Sequence, residues 1–346
     1  MKNIASCLTA ALVALAFAGS ESAAIAQTVD GPKVNWRLGA WGKPREVTRG
    51  FETVKEYVEK KTGGKFGITI GYESFGGPKE LLDLVKIHSL QSSMFCASYH
   101  PDKTPANTAL DLPFLPLTTP AIELKVHETF YNHPYIKKEL GEWNAFAYLA
   151  TVLPQYEFVG RGKPPTTIEG FKGLRVRALG GMGDAMRKLG AIPTSVPATE
   201  VYTALERGTV DGVSFPATYA HAAYRTYEIG DWYTTNMAFG TVGCPIVVAV
   251  DAYDKLPAQY KKLLEEAKPL AVKAMLDAYE VADKKNIPLF KKAGLEFITY
   301  TDTELARFRK IAAEPVWDEW VKANKAKGVP AQELLDLILE TAKAKS

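Results

Sequence analysis

Catalytic and metal-binding patterns are missing from this chain of 346 residues, which contains only three cysteines and five histidines. The histidines lie on predicted helices or turns without metal-ligand spacing, and no serine occupies a Gly-x-Ser-x-Gly elbow. The glycine-rich segment GGMGD, which begins at Gly180, lacks the complete phosphate-loop pattern. We therefore predict no metal, no cofactor and no enzymatic activity.

Long hydrophobic runs and basic blocks are also absent from most of the chain. Lys and Arg number 42 against 39 Asp and Glu, a net charge of +3 that is spread along the sequence and indicates no nucleic-acid partner. The one apolar run, from Ile4 to Ala18, is short for a membrane span and follows Lys2. With the segment Ala24-Ile25-Ala26 after it, which fits a signal-peptidase site, the pattern predicts a cleaved export signal at residues 1–26.

Strand patterns alternate with helix patterns along the rest of the chain, which is typical of an α/β fold. Trp36, Leu38 and Ala40 alternate as in a strand, and an amphipathic helix follows them. A second run of strand and helix begins at Gly170 and predicts a second lobe. Other predicted helices cover residues 121–140, residues 257–292, where prolines 269 and 288 should kink or break the helix, and two segments at the carboxyl terminus.

Arg177 is the strongest candidate for a binding residue. The strand pattern RVRAL places Arg175 and Arg177 on one face, with Arg177 near the carboxyl end, where open α/β sheets bind ligands. A guanidinium can hold both oxygens of a carboxylate in paired hydrogen bonds. A structural ion pair with a neighbouring acid is the alternative.

The stretch from Gly170 to Pro216 resembles the signature region of the solute-binding proteins of tripartite ATP-independent periplasmic (TRAP) transporters. The likeness is carried by GLRVRAL, by LGAIPTSVP and by EVYTALERGTVDG. It implies a two-lobed periplasmic binding protein fold of type II, with a long helix spanning both lobes. Lobe I would comprise 27–155 and 240–287, and lobe II 156–239 and 288–346. It also implies a periplasmic location, a small-molecule carboxylate ligand gripped by Arg177, and membrane permease subunits as partners.

The residues around this motif predict the shape of the ligand. Phe215 stands where many family members carry an asparagine that binds the ligand, and it supplies an apolar wall instead. Because the motif places one arginine at the site, we expect a single carboxylate on an aromatic or otherwise apolar body. The other predicted contacts are Trp41, Tyr99, Tyr156, Gly180 and Tyr219.

Three questions stay open at the level of sequence. Cys96 and Cys244 lie near the ends of predicted strands that the family's fold places side by side, so they form either one disulfide or two buried thiols. The ligand alternatives are a C4-dicarboxylate or a sugar acid bound by a protein of another transporter class. A secreted enzyme on the same scaffold, or a subunit that presents ligand to a sensor kinase, is the functional alternative.

Overall fold

The computed structural model describes residues 28–344, so the predicted export signal lies outside the described residues. Within this range the strands form two separate sheets. In chain order the strands are β1 (Val34–Ala40), β2 (Phe66–Tyr72), β3 (Ser92–Met94), β4 (Ala145–Leu149), β5 (Tyr156–Gly160), β6 (Arg175–Arg177), β7 (Ile192–Thr194), β8 (Gly212–Pro216), β9 (Trp232–Thr234), β10 (Ile246–Ala249) and β11 (Glu296–Ile298).

The first sheet has the order β2-β1-β3-β10-β4, and with its helices it forms the first lobe. Strand β1 is parallel to β2 and β3, whereas β10 is antiparallel to β3 and β4. The alternation read from the sequence is present in β1, because Trp36, Leu38 and Ala40 are buried while Arg37 is exposed. Strand β10 comes back to this sheet after the chain has built most of the second one.

The second sheet has the order β11-β9-β5-β8-β6-β7 and forms the second lobe. Strand β6, which ends at Arg177, is parallel to both β7 and β8. Strand β5 is antiparallel to β8 and β9. The chain crosses between the lobes from β4 to β5 and from β9 to β10, and β5 and β9 are neighbours in the second sheet.

Helices cover the faces of both sheets, and none of those within residues 28–344 is both long and apolar enough to span a bilayer. In chain order they are α1 (Arg49–Thr62), α2 (Leu81–Lys86), α3 (Pro120–Asn132), α4 (Pro134–Gly141), α5 (Gly180–Lys188), α6 (Val201–Glu206), α7 (Tyr219–Ala223), α8 (Val250–Asp254), α9 (Ala258–Lys292), α10 (Asp302–Ala312), α11 (Glu314–Lys325) and α12 (Ala331–Lys343).

Helix α9 connects the two lobes over 35 residues. Near its start Tyr260 stacks on Phe66 of the first sheet, and near its end Phe290 packs against Tyr233 of the second. The expected break at Pro269 or Pro288 does not occur, because the helix runs through both. Both prolines lie on the exposed face, where water can hydrate the carbonyls that lose their amide partners, while the buried face keeps its packing.

Two other helix predictions need correction. The single helix expected at 121–140 is two helices, because His133 precedes Pro134 and adopts an extended conformation that ends α3. The carboxyl-terminal region holds three helices rather than two, since α11 begins with Glu314-Pro315 directly after α10, and Gly328 with Pro330 then separates α11 from α12.

Cys96 and Cys244 form a disulfide bond. They continue the antiparallel pairing of β3 and β10, in which Met94 lies opposite Ile246 and the Phe95 amide donates to the Pro245 carbonyl. The bond therefore fixes the segment that comes back from the second lobe to the end of β3, a site that the sequence left open between a disulfide and two thiols.

Buried Glu123 on α3 makes the stability of the fold depend on pH. Burial raises the pKa of its carboxyl to about 8 from a usual value of 4.5, while the Leu153 amide donates to one oxygen. The folded state therefore holds this proton over a pH range in which the unfolded chain has lost it. The protonated carboxyl contributes its full share of the free energy of unfolding below the unfolded pKa. This contribution is lost as the pH rises through about 8.

We expect the free energy of unfolding of the wild-type protein to fall between pH 6.5 and 8.5, and to fall by about 1–2 kcal/mol less in Glu123→Gln. Burial lowers the pKa of His100, His127 and His221 to between about 3 and 4 in the folded state, so their titration in the unfolded chain affects wild type and variant alike and cancels in the comparison. Urea unfolding at several pH values measures the difference. Glu128→Gln, on the exposed face of the same helix, is the control. Equal pH dependence in both variants would contradict the prediction.

Candidate ligand-binding site

A cavity of about 40 Å³ lies between the two sheets, next to the carboxyl ends of β1, β6 and β8. We call it the interlobe cavity. Its lining includes six of the seven residues predicted from the sequence: Trp41 and Tyr99 from the first lobe, and Tyr156, Arg177, Phe215 and Tyr219 from the second. A larger groove of about 1030 Å³ between α3, β4 and α9 contains none of them.

Arg177 is the charged centre of the cavity, and its side chain is fully buried. Its Nε donates to the Val196 carbonyl at 3.0 Å, and one Nη donates to the Ser214 carbonyl at 2.7 Å. Within residues 28–344 no carboxylate lies within 4.0 Å of the guanidinium, so the ion-pair alternative does not hold. The buried positive charge has only neutral partners and attracts an anion.

Strand β6 explains why the two arginines of RVRAL behave differently. Arg175 begins the strand at its exposed end and pairs with Asp211. Arg177 ends the strand between β8 and β7, where the carboxyl edge of the sheet faces the first lobe. Its guanidinium lies over the ring of Phe215, with Cζ 4.7 Å from the ring centre. The sheet therefore presents one arginine to solvent and the other to the cavity.

Tyr99 brings the first lobe into contact with this arginine. It ends a short 3₁₀ turn after β3, and its ring meets Trp41 edge to face. The hydroxyl oxygen accepts hydrogen bonds from the second Nη of Arg177 at 3.2 Å and from the Ala198 amide at 3.1 Å. Since both contacts use the oxygen as acceptor, the hydroxyl hydrogen remains able to donate to a carboxylate.

Aromatic rings form the remaining walls. Phe215 stacks on Tyr224, and Tyr219 stacks on Tyr279 of α9, with ring centres 5.0 and 4.9 Å apart. Tyr156 begins β5 opposite Pro216 of β8. Burial raises the pKa of the Tyr156 hydroxyl well above its usual range, so the group stays neutral. The walls are thus flat and largely apolar, with neutral hydroxyls among them.

Gly180 is the predicted residue that the structure does not bring to the cavity. It begins α5 with a φ of +47°, and a Cβ atom there would lie 2.9 Å from Cβ of Asp111 in the first lobe. The Asp111 carboxyl is itself buried and accepts hydrogen bonds from the Ser98 hydroxyl and the Gly243 amide. Gly180 therefore lets the lobes approach each other closely at this point.

Among the cavity residues that sequence reasoning missed, Arg45 and Tyr224 are the arginine and the tyrosine. Arg45 lies over the Tyr224 ring, with Cζ 5.5 Å from the ring centre. The cavity lining therefore contains two arginines, whereas the sequence placed only one there. Arg177 was selected because open α/β sheets bind ligands at the carboxyl ends of their strands. The same argument applies to Arg45, which follows the end of β1 by five residues in the turn before α1. The sequence pattern gave Tyr224 no such signal.

The family model for bacterial extracellular solute-binding protein, family 7, matches residues 40–324. The chain belongs to this family. The family that the signature region predicted is thus confirmed over most of the chain, including both sheets and α9.

Individual relatives are distant but match over most of their length. The monocarboxylate 2-oxoacid-binding periplasmic protein of Nostoc is 23% identical over 297 residues, which are 81% of this chain and 78% of the relative. The C4-dicarboxylate-binding periplasmic protein of Rhodobacter capsulatus is 25% identical over 295 residues, 82% of this chain and 85% of the relative.

A crystal structure of a TRAP periplasmic solute-binding protein from Desulfovibrio salexigens, with bound orotic acid, superposes with a TM-score of 0.81 at 21% identity. The match covers 90% of this chain and 99% of the other. The expected two-lobed fold is confirmed by this likeness.

We expect the two lobes of the ligand-free protein to move apart in Tyr99→Phe. The loss of the hydroxyl removes two hydrogen bonds between the lobes and leaves their buried donors, an Nη of Arg177 and the Ala198 amide, unpaired. The cost is about 1–3 kcal/mol against the closed arrangement. Small-angle X-ray scattering should then give a larger radius of gyration. Tyr57→Phe is the matched control, because the Tyr57 hydroxyl contacts Glu266 at an exposed position. Identical scattering from Tyr99→Phe and wild type would contradict the role of Tyr99.

Proposed function

We propose that this protein is the solute-binding component of a TRAP transporter, which captures a small organic acid in the interlobe cavity and delivers it to membrane permease subunits. The observation that carries the proposal is the buried guanidinium of Arg177, whose partners among the described residues are all neutral. Membership of an extracellular solute-binding family supports it. The export pattern at residues 1–26 supports a periplasmic location.

The two lobes supply different parts of the binding site. Arg177, Phe215 and Tyr219 belong to the second lobe, and Trp41 and Tyr99 belong to the first. A carboxylate on Arg177 that also accepts a hydrogen bond from Tyr99 touches both lobes, so it favours their closed arrangement. In this proposal the ligand completes the contact between the lobes, and the permease recognises the closed form. The lobe boundaries predicted from the sequence are part of the same proposal.

The cavity also restricts the body of the ligand. Its volume of about 40 Å³ leaves room for few atoms. Aromatic walls suit a flat, partly apolar body, whereas an aromatic ring in the ligand requires the lobes to stand further apart. We therefore favour a compact carboxylate over the aromatic acid that the sequence suggested.

Arg177→Lys should weaken binding of the captured acid by about 1.5–3 kcal/mol, because an ammonium cannot form the paired hydrogen bonds of a guanidinium. Isothermal titration calorimetry measures the loss, and thermal unfolding checks that the variant is folded. Arg175→Lys is the matched control, since it lies on the same strand but pairs with Asp211 at the surface. Unchanged affinity in Arg177→Lys would remove Arg177 from the site.

A thermal-shift screen tests the ligand class. We expect compact acids such as 2-oxobutyrate and succinate to raise the unfolding temperature more than benzoate or glucuronate, because ligand that binds only the folded state stabilises it. Recovery of the acid unchanged and in equimolar amount would distinguish a binding protein from an enzyme. Stabilisation by benzoate or glucuronate alone would contradict the size argument. Stabilisation by no carboxylate would contradict the proposed function.

A further inference from the structure

The hydroxyl group of Tyr224 is buried in the wall of the interlobe cavity and has no hydrogen-bond partner within residues 28–344. A buried hydroxyl without a partner costs free energy, so native proteins rarely retain one without a reason. The turn after β1 has a glycine where this hydroxyl approaches the backbone. A Cβ atom at Gly42, where φ is +70°, would lie 2.7 Å from the Tyr224 oxygen. The tyrosine thus reaches across from the second lobe to the backbone of the first.

Arg45 lies beside this hydroxyl and has unused donors. Its Nη1 donates to the carbonyls of Trp41 and Lys43 at 2.8 and 2.9 Å. Its Nη2 has only the sulfur of Met94 at 3.9 Å, a weak acceptor. No carboxylate among the described residues lies within 4.0 Å of this guanidinium. Like Arg177, Arg45 therefore brings a positive charge whose partners are neutral.

The two arginines stand at opposite ends of an aromatic pair. Arg177 lies over Phe215, Phe215 stacks on Tyr224, and Arg45 lies over Tyr224. All four side chains line the same cavity, and no Asp or Glu side chain is part of its lining. A ligand in the cavity therefore has two guanidiniums in the surrounding wall.

We propose that Tyr224 and Arg45 form a second polar subsite, so that the captured acid carries a second oxygen acceptor besides its carboxylate. The carboxylate binds Arg177 and Tyr99, and the second oxygen accepts from the Tyr224 hydroxyl and from a free N–H of Arg45. This inference rests on the proposed capture of a carboxylate. It replaces the apolar monocarboxylate expected from the sequence with a bifunctional acid, whose second group is a carbonyl, a hydroxyl or another carboxylate.

Buried hydrogen-bond donors without partners allow the site to discriminate between acids. A site with buried donors rejects an analogue that lacks the matching acceptor, because those donors then remain unpaired in the complex. An apolar acid of the same length leaves Tyr224 and Arg45 as they are in the free protein. The second oxygen thus decides which acids bind tightly, while the carboxylate decides that acids bind at all.

Isothermal titration calorimetry with butyrate, 2-oxobutyrate, 4-hydroxybutyrate and succinate tests this inference, since these acids share a four-carbon chain and differ in the second oxygen. We expect at least one of the last three to bind the wild-type protein at least about tenfold more tightly than butyrate. Tyr224→Phe should reduce this advantage to less than about threefold. Comparing succinate with 2-oxobutyrate and 4-hydroxybutyrate shows whether the subsite prefers a charged or a neutral second group.

Tyr227→Phe is the matched control, because the Tyr227 hydroxyl contacts Glu228 at the surface and should leave every affinity unchanged. If Tyr224→Phe fails to fold, Arg45→Lys takes its place with the same expectation. Equal binding of butyrate and the other three acids by the wild-type protein would overturn the second subsite while leaving carboxylate capture intact. An equal loss of affinity for all four acids in Tyr224→Phe would also overturn the second subsite. Binding of none of them would overturn the proposed function together with this inference.

Discussion

The structure of the site depends on one buried positive charge without a counter-ion. The guanidinium of Arg177 is held by the carbonyls of Val196 and Ser214 and by the Tyr99 hydroxyl. These partners fix its direction but leave its charge uncompensated, and a buried charge of this kind is unfavourable until an anion joins it. Because one partner comes from the other lobe, the same interaction couples the charge to the distance between the lobes.

The rest of the fold maintains this arrangement. The parallel strands on either side of β6 hold Arg177 at the carboxyl edge of the second sheet. The disulfide between Cys96 and Cys244 fixes the returning segment to the end of β3, close to Tyr99, and both cysteines line the cavity. Helix α9 packs against both lobes and stacks Tyr279 on Tyr219 of the cavity wall. These contacts hold the walls of the interlobe cavity in position.

Two acidic side chains, Asp111 and Glu157, are buried in the fold. Burial raises the pKa of Asp111 and of Glu157 to about 7, and both carboxyls accept hydrogen bonds from neighbouring backbone amides. They lie outside the cavity lining, which contains arginines but no acids. The separation of the two kinds of charge keeps the cavity positive, which suits an acid and disfavours a cationic solute.

The sequence by itself determined the α/β class, the second run of strands and helices from Gly170 and the position of Arg177 at a strand end, because hydrophobic alternation and the position of a residue along a strand are local properties. The resemblance to TRAP solute-binding proteins added the two-lobed fold and the helix that spans both lobes. The sequence also predicted Trp41, Tyr99, Tyr156, Phe215 and Tyr219 as ligand contacts, and these five residues line the interlobe cavity. Only the tertiary structure decided that Pro269 and Pro288 lie within one helix, because their tolerance depends on which face is exposed. Only it placed Gly180 against Asp111, and brought Arg45 and Tyr224 together from segments 179 residues apart. Contacts between distant segments depend on how the two sheets pack, and no local pattern in the chain encodes that.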